Sequence, residues 1–398
     1  MPIPQKQFYV CLLVTTVASF VVIRRCLQQK KKKLEKEQKE AYLKCKTLFE
    51  FEALAKQLMK PHRFYYYDYK AGQGHTFQAS RDYYNKQLKI IPRVLMHVTN
   101  VSIKTTIFGS TYESPIIIAP SAFHCLAHND GEVATARGAT EADCIYTYNW
   151  LYSNMPEQEV LKSAGPKFLH VYLTTPSEFL EKIVSEAEIK GYRAIVATCD
   201  HPTDRVRKTV VPIFDEASKT VDHDLTKCMC MPNMNLNDVI NKPTSGVSGS
   251  VTWAHIDLIK KLTQLPIICK GILSPIDAQL AIKHGANGIV VSNHGGRQVD
   301  TAPPAIECLE DIVNVVNGRV EVFVDTGIRS GTDVLKALAL GARAVFIGRP
   351  VLFGLACGGS DGVKTVLNML KQELTDDMAC CGVTSIDQIN KDILYKHT

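Results

Sequence analysis

Short apolar runs alternate with amphipathic segments of helix length from Leu48 onward. Residues 115–120, 144–147, 168–171, 194–198, 266–270, 288–292, 320–325 and 344–348 each have strand length, and most are rich in β-branched side chains. Between them, residues 130–142, 177–190, 274–284 and 331–340 carry helical periodicity, several opened by Ser, Asp or Pro as helix starts require. The strand runs are continuously apolar rather than alternating, so both faces of each strand are covered, as in a parallel sheet. Eight such repeats predict a (β/α)8 TIM barrel; an open doubly wound sheet usually has fewer strands and a glycine-rich first turn, which is absent. Residues 48–398 form this barrel unit. Within it, residues 48–114 precede the repeats and are expected to form an N-terminal helical cap. Residues 209–250 are too long for an ordinary βα connection and are expected to be a mobile insertion over the barrel mouth.

The chain ahead of the barrel follows another pattern. Residues 8–23 are apolar apart from Thr15, Thr16 and Ser19, and Arg24 and Arg25 follow at once. Sixteen residues fall just short of the ~17–25 of a spanning helix, a gap that snorkelling neighbours can close. Residues 1–26 are therefore expected to be a membrane-anchor helix, and the basic flank places the long body on the cytosolic side. A cleaved signal peptide fits less well, because the basic residues follow the apolar run instead of preceding it. The competing expectation is mitochondrial targeting or peroxisomal association, although residues 395–398 are no Ser-Lys-Leu-type address. Residues 27–47, rich in Lys and Glu, read as a charged helical stalk.

Composition narrows the classes. At 398 residues, 45% hydrophobic and 22% charged, the chain suits a large-cored globular protein. The net charge of +6 is matched by Lys30 to Lys33 with Arg24 and Arg25 alone, so the body is near neutral and nucleic acid is not an expected partner. Thirteen cysteines without regular spacing predict reduced thiols rather than a disulfide framework, and neither Cys228-Met229-Cys230 nor Cys380-Cys381 has zinc-site spacing. No metal is expected.

In a TIM barrel, chemistry sits at the carboxyl ends of the strands. Those ends carry Ala122, then Asn149, His170 with Tyr172, and Thr198 with Asp200 and Arg207. Lys270 follows, then Ser292 and His294 with Arg297, Asp325 with Gly327 and Arg329, and finally Gly348 with Arg349. An imidazole and a guanidinium three residues apart, beside Gly295 and Gly296, supply a base and an anion clamp facing one pocket. The Gly-Ile-Arg and Gly-Arg-Pro segments at 327–329 and 348–350 fall in the seventh and eighth loops, where barrels commonly bind phosphate.

The Ser292-to-Gln298 motif, with Ala119-Pro120-Ser121-Ala122, residues 265–271, 324–329 and 346–350, closely resembles the FMN-dependent 2-hydroxy-acid oxidases and dehydrogenases, the glycolate oxidase family. The resemblance runs from about Leu48 to the C-terminus. It implies His294 as active-site base, Asp200 stabilising its imidazolium, Arg207 and Arg297 holding the substrate carboxylate, and Tyr172 meeting the substrate hydroxyl. It places Lys270 at the pyrimidine edge of FMN, Asp325 on the ribityl chain, and Arg329, Gly348 and Arg349 on the phosphate. Pro120, Ser121, Ala122, Asn149, His170, Thr198, Ser292 and Gly327 complete the expected cofactor surface. The implied reaction turns an (S)-2-hydroxy acid into the 2-oxo acid with oxygen as acceptor, giving hydrogen peroxide, in a homotetramer. Such an oxidation needs an electron sink, a base and a fixed carboxylate, which these residue types supply.

Several positions depart from the family pattern. Asp68 stands where a substrate-contacting Tyr is usual, Asn149 replaces a Ser, His170 a Gln, Leu151 a pocket Trp, and Thr326 a Gly. A carboxylate at position 68 facing the substrate's own would repel it, and Leu151 would enlarge the pocket. Longer aliphatic 2-hydroxy acids are accordingly expected to be preferred over glycolate. The drift leaves two other classes open: a non-catalytic membrane-tethered relative, or another flavin- or phosphate-binding barrel enzyme.

Overall fold

The computed structural model describes residues 40–175, 177–201, 232–233 and 251–395, together with residues 24, 28, 29, 33, 36 and 37. The chain divides into a unit ending at Lys46 and a unit beginning at Thr47. In the first, the described residues from Arg24 to Tyr42 are helical, with Lys33–Glu37 and Lys36–Glu40 pairs at 3.8 Å one turn apart. The expected anchor at residues 8–23 lies outside the described residues; among those that are described, no helix is long and apolar enough to cross a membrane.

The second unit holds a closed barrel of eight parallel strands. These are β3 (Ile116–Ile118), β4 (Ile145–Asn149), β5 (Lys167–Tyr172), β6 (Ile195–Thr198), β7 (Ile267–Ile272), β8 (Gly288–Val291), β9 (Glu321–Val324) and β10 (Ala344–Ile347), with β10 closing on β3. All eight strands predicted from the apolar runs are present, and their continuous burial explains why: outward side chains meet helices, inward ones meet each other. Ile117, Phe168, Val196, Ile268, Val290, Phe323 and Phe346 fill the interior, which is a packed core and not a pore.

The predicted helices appear at Gly131–Glu141, Ser177–Ala187, Pro275–Lys283 and Gly331–Ala339. Ser274 and Ser330 cap two of them, their hydroxyls accepting from Ile276 N and Asp333 N.

Residues 48–114 do two separate jobs. Helices Leu48–Leu58, Pro61–Asp68 and His75–Asp82 lie toward the carboxyl ends of the strands, where Tyr66 and Tyr67 line the cleft. The antiparallel hairpin β1 (Thr105–Ile107) and β2 (Ser110–Tyr112) plugs the opposite end, with Ile107 in the core and Phe108 edge-on to Phe323 at 6.0 Å. The expected insertion at 209–250 lies outside the described residues except for Pro232 and Asn233 nearby, where Asn233 Nδ2 donates to Tyr148 Oη at 2.7 Å.

Candidate active site

The carboxyl ends of the strands surround a cleft of about 960 Å³ including its open mouth. Of the residues expected there, Pro120, Ser121, Ala122, His170, Tyr172, Thr198, Lys270, His294, Arg297, Asp325, Gly327, Arg329, Gly348 and Arg349 line it. Asp200, Asn149 and Ser292 stand behind the wall. Arg207 lies outside the described residues.

One wall is built from β6, β7 and β8. His294 Nδ1 meets Asp200 Oδ1 at 2.9 Å, so the carboxylate fixes the ring's orientation and leaves Nε2 as the nitrogen free to exchange a proton. Burial acts to raise the Asp200 pKa, but His294 and Lys270 overcome it and hold the carboxyl below its ordinary range. β7 makes this approach feasible through an irregularity beside Gly271, whose φ is 104°; a Cβ there would sit 2.4 Å from Asp200 Cγ. Lys270, only 4% exposed, pairs with Asp325 at 3.1 Å and donates to Ser292 Oγ at 3.0 Å. Burial opposes its charge, yet Asp325 and Asp200 raise its pKa above the ordinary value.

Histidines also fill the wall beside Tyr172. His170 Nε2 lies 2.6 Å from Thr198 Oγ1, while its Nδ1 and the Nδ2 of neighbouring Asn149 have no hydrogen-bond partner. Burial, reinforced by Lys270 and His294, drives the His170 pKa well down, so the ring is neutral. The Tyr172 ring packs edge-on between His170 at 4.7 Å and His201 at 5.3 Å.

The floor is different. Arg349 is half-buried, and desolvation together with Arg297 and Arg329 pushes its pKa down to about 9, which still leaves it charged at neutral pH. Burial brings Arg329 to about 10, against the opposing pull of Glu52, 3.8 Å away. Arg349 donates to the carbonyls of Tyr67 at 2.9 Å and Tyr69 at 3.0 Å, and Arg297 to those of Tyr66 at 2.9 Å and Tyr67 at 3.2 Å. Both bind the cap's backbone and still line the cleft. Crowded guanidiniums that repel one another, one buried and two half-buried, call for an anion, and this basic floor fits the phosphate of FMN. The unpartnered Nδ1 of His170 and the Lys270 ammonium fit the polar edge of its ring. No group of His, Cys, Asp or Glu among the described residues could hold a metal, and no disulfide joins the described cysteines.

Two expectations about the substrate pocket change. Asp68 does not line the cleft: both its oxygens lie 3.1 Å from Lys70 Nζ, which in turn sits 4.6 Å over the Phe77 ring. Lys70 holds it off the cleft lining, so the repulsion expected of it loses its basis. Leu151 is buried outside the cleft as well, and does not enlarge it. Tyr66 and Tyr67 both line the cleft, but Tyr67 donates its hydroxyl to the Phe123 carbonyl at 2.7 Å, which leaves Tyr66, not singled out by the sequence pattern, as the phenol available there. Arg297 lies 5.4 Å over its ring, and burial raises its hydroxyl's pKa against the pull of that guanidinium.

Comparison with known proteins agrees with this geometry. Residues 55–396 match the family model described as FMN-dependent dehydrogenase. The chain is 39% identical to glycolate oxidase of Spinacia oleracea over 86% of its own length and 93% of the relative's. It is 37% identical to a peroxisomal (S)-2-hydroxyacid oxidase of Arabidopsis thaliana, covering 86% of this chain and 94% of that one. Among solved structures, mandelate oxidase with (S)-2-phenylpropionate superposes with a TM-score of 0.78 at 35% identity, over 88% of this chain and 98% of the other. Matched to the family model from residue 55 to residue 396, the chain belongs to the FMN-dependent dehydrogenase family.

Proposed function

We propose that this protein oxidises an (S)-2-hydroxy acid to the corresponding 2-oxo acid, with FMN as its cofactor and His294 as its base. The observation that carries the assignment is the His294–Asp200 pair at 2.9 Å on the cleft wall, beside the Lys270–Asp325 pair and above the arginine floor. FMN, when bound, supplies the two-electron acceptor. Arg329, Gly348 and Arg349 would hold its phosphate, Asp325 its ribityl chain, and Lys270 and His170 the edge of its ring.

The chain's own groups handle the protons and the carboxylate. His294 Nε2 takes a proton from the substrate, and Asp200 stabilises the imidazolium that results. Arg297 and Arg207 grip the substrate carboxylate, which orients the α-carbon; Tyr172 meets the substrate hydroxyl. Tyr66, stacked on Arg297, presents its hydroxyl at the same end of the cleft. Lys270 places positive charge where negative charge accumulates during oxidation, and its pairing with Asp325 keeps it oriented beforehand.

Oxygen as the final acceptor and a homotetrameric assembly are carried by the family resemblance. Residues 8–23 tether the enzyme to a membrane, supported by their apolarity and the basic flank at Arg24, Arg25 and Lys30 to Lys33; the peroxisomal name of one relative favours association with that organelle as the alternative. Carbonate extraction of the full-length chain separates these, since recovery in the soluble fraction at full length removes the anchor. For the chemistry, purified protein is mixed anaerobically with a 2-hydroxy acid. A yellow protein that bleaches supports the assignment, and a yellow protein that never bleaches with any 2-hydroxy acid refutes it.

A further inference from the structure

After β8 the backbone is left-handed at three consecutive residues: φ is 60° at His294, 71° at Gly295 and 70° at Gly296. A residue with a Cβ seldom adopts such a φ, yet the His294 imidazole needs one fixed orientation to meet Asp200. A closed ring of polar contacts holds the turn. His294 N donates to Ser292 Oγ at 3.1 Å, and Lys270 Nζ donates to the same oxygen at 3.0 Å. Lys270 Nζ lies 3.1 Å from Asp325 Oδ2, while Asp325 Oδ1 accepts from Thr326 Oγ1 at 2.8 Å. Gly295 N then donates to Thr326 Oγ1 at 3.1 Å, which returns the ring to the peptide next to His294. Ser292, Lys270 and Asp325 are buried, so each broken link would leave a group without ready access to water.

Thr326 is the least expected member. Its φ is 72°, a conformation that suits glycine and strains a β-branched side chain. Glycine there would relax the backbone but remove the only hydroxyl that both accepts from Gly295 N and donates to Asp325. Strain retained at a residue with this double contact points to a role in the site.

We propose that Thr326 is a positioning residue, whose hydroxyl locks the His294–Gly295 peptide to the Lys270–Asp325 pair and thereby sets the angle at which the imidazole meets substrate. This rests on His294 being the base. The hydroxyl acts through hydrogen bonds alone, so serine should replace threonine and glycine should not.

The test compares full-length, FMN-loaded wild type with Thr326→Ser and Thr326→Gly. Expected for Thr326→Gly is a fall in kcat of about tenfold or more with KM within about twofold, because misorientation of a base acts on the transition state. Its thermal midpoint should stay within about 3 °C of wild type, since the left-handed φ that glycine accepts offsets the two hydrogen bonds lost. Amide exchange in the peptide spanning residues 292–298 should quicken in Thr326→Gly and not in Thr326→Ser, whose kcat should stay within about twofold of wild type. Unchanged kcat and exchange in Thr326→Gly would overturn the proposal. So would equal impairment of the two variants, or loss of rate in step with lost midpoint or solubility, which would make the threonine merely structural. Wild-type protein that turns over no 2-hydroxy acid would instead overturn the assignment of His294, a result distinguishable from all of these.

Discussion

The wall and the floor of the cleft carry comparable charge and deal with it in opposite ways. On the wall, every buried charge has an internal partner: Asp200 with His294 at 2.9 Å, Lys270 with Asp325 at 3.1 Å. On the floor, Arg297 and Arg349 have no carboxylate within salt-bridge distance among the described residues, and Arg329 has only Glu52 at 3.8 Å. A paired wall is preorganised before any ligand arrives. An under-compensated floor is completed by an anion, so binding energy is available there that the folded protein does not spend on itself. Under the proposed function, geometry for proton transfer would be held by the protein and affinity for the cofactor left to the floor.

The largest effect should come from the wall. His294→Gln is expected to retain FMN while cutting flavin reduction by roughly 10³-fold, the scale of a general base; stopped-flow absorbance of the variant checks this, and reduction at the wild-type rate removes His294 from its role. Breaking the second wall pair should cost stability. Asp325→Asn leaves the buried Lys270 with only the unbonded charge of Asp200 to oppose it and should destabilise the protein by about 3 kcal/mol, read from denaturant unfolding. A floor substitution should behave in the opposite sense. Arg349→Met removes a half-buried charge that has no salt-bridge partner among the described residues and is crowded by Arg297 and Arg329, so relief of that repulsion should offset the two lost carbonyl contacts and leave the protein without FMN melting close to wild type, while FMN affinity falls on the order of 30- to 100-fold. If Arg349→Met instead melts far lower with FMN retained, the contrast between wall and floor is wrong.

A smaller effect concerns pH. Asp200 has a folded-state pKa below its ordinary value of 3.8, so its pairing stabilises the protein fully above that value and is lost as pH falls through the depressed one. The stability gap between wild type and Asp200→Asn should therefore be flat near neutrality and close only below pH 3.8. Chemical unfolding of both proteins across that range would reveal a gap that closes at higher pH, were the pair not formed. The smallest effect is expected at Asp68, which is held by Lys70 away from the cleft. Asp68→Tyr should change kcat/KM for glycolate by less than about threefold, whereas Tyr66→Phe should lower it by more, as loss of a hydrogen bond to a charged group would.

What the sequence revealed and what it hid divide along a physical line. The eight strands were legible because burial on both faces demands unbroken apolar runs, and strand ends in a barrel point at the site whatever the loops do. His294, Lys270, Asp325, Arg329 and Arg349 could be placed from that rule alone. The cap could not be resolved to single residues. Tyr65, Tyr66, Tyr67 and Asp68 follow one another on one short helix, and which of them faces the cleft depends on that helix's rotation: Tyr65 is exposed, Tyr67 is buried with its hydroxyl on the Phe123 carbonyl, and Tyr66 reaches the site. Charge at position 68 suggested a clash only because the compensating Lys70 sits two residues on, a local pairing that no periodicity reveals. Thr326 was visible as a departure from glycine, but its left-handed backbone and double hydrogen bond are facts of three dimensions.

In the proposed function a prepaired His294–Asp200 wall removes the substrate's proton above an arginine floor that holds FMN. Anaerobic rapid mixing of FMN-loaded wild type and His294→Gln with the same (S)-2-hydroxy acid, followed by flavin absorbance, tests it most directly. Wild type should bleach fast, and the variant should start equally yellow and bleach more slowly by roughly 10³-fold. Equal bleaching in the two proteins would contradict it.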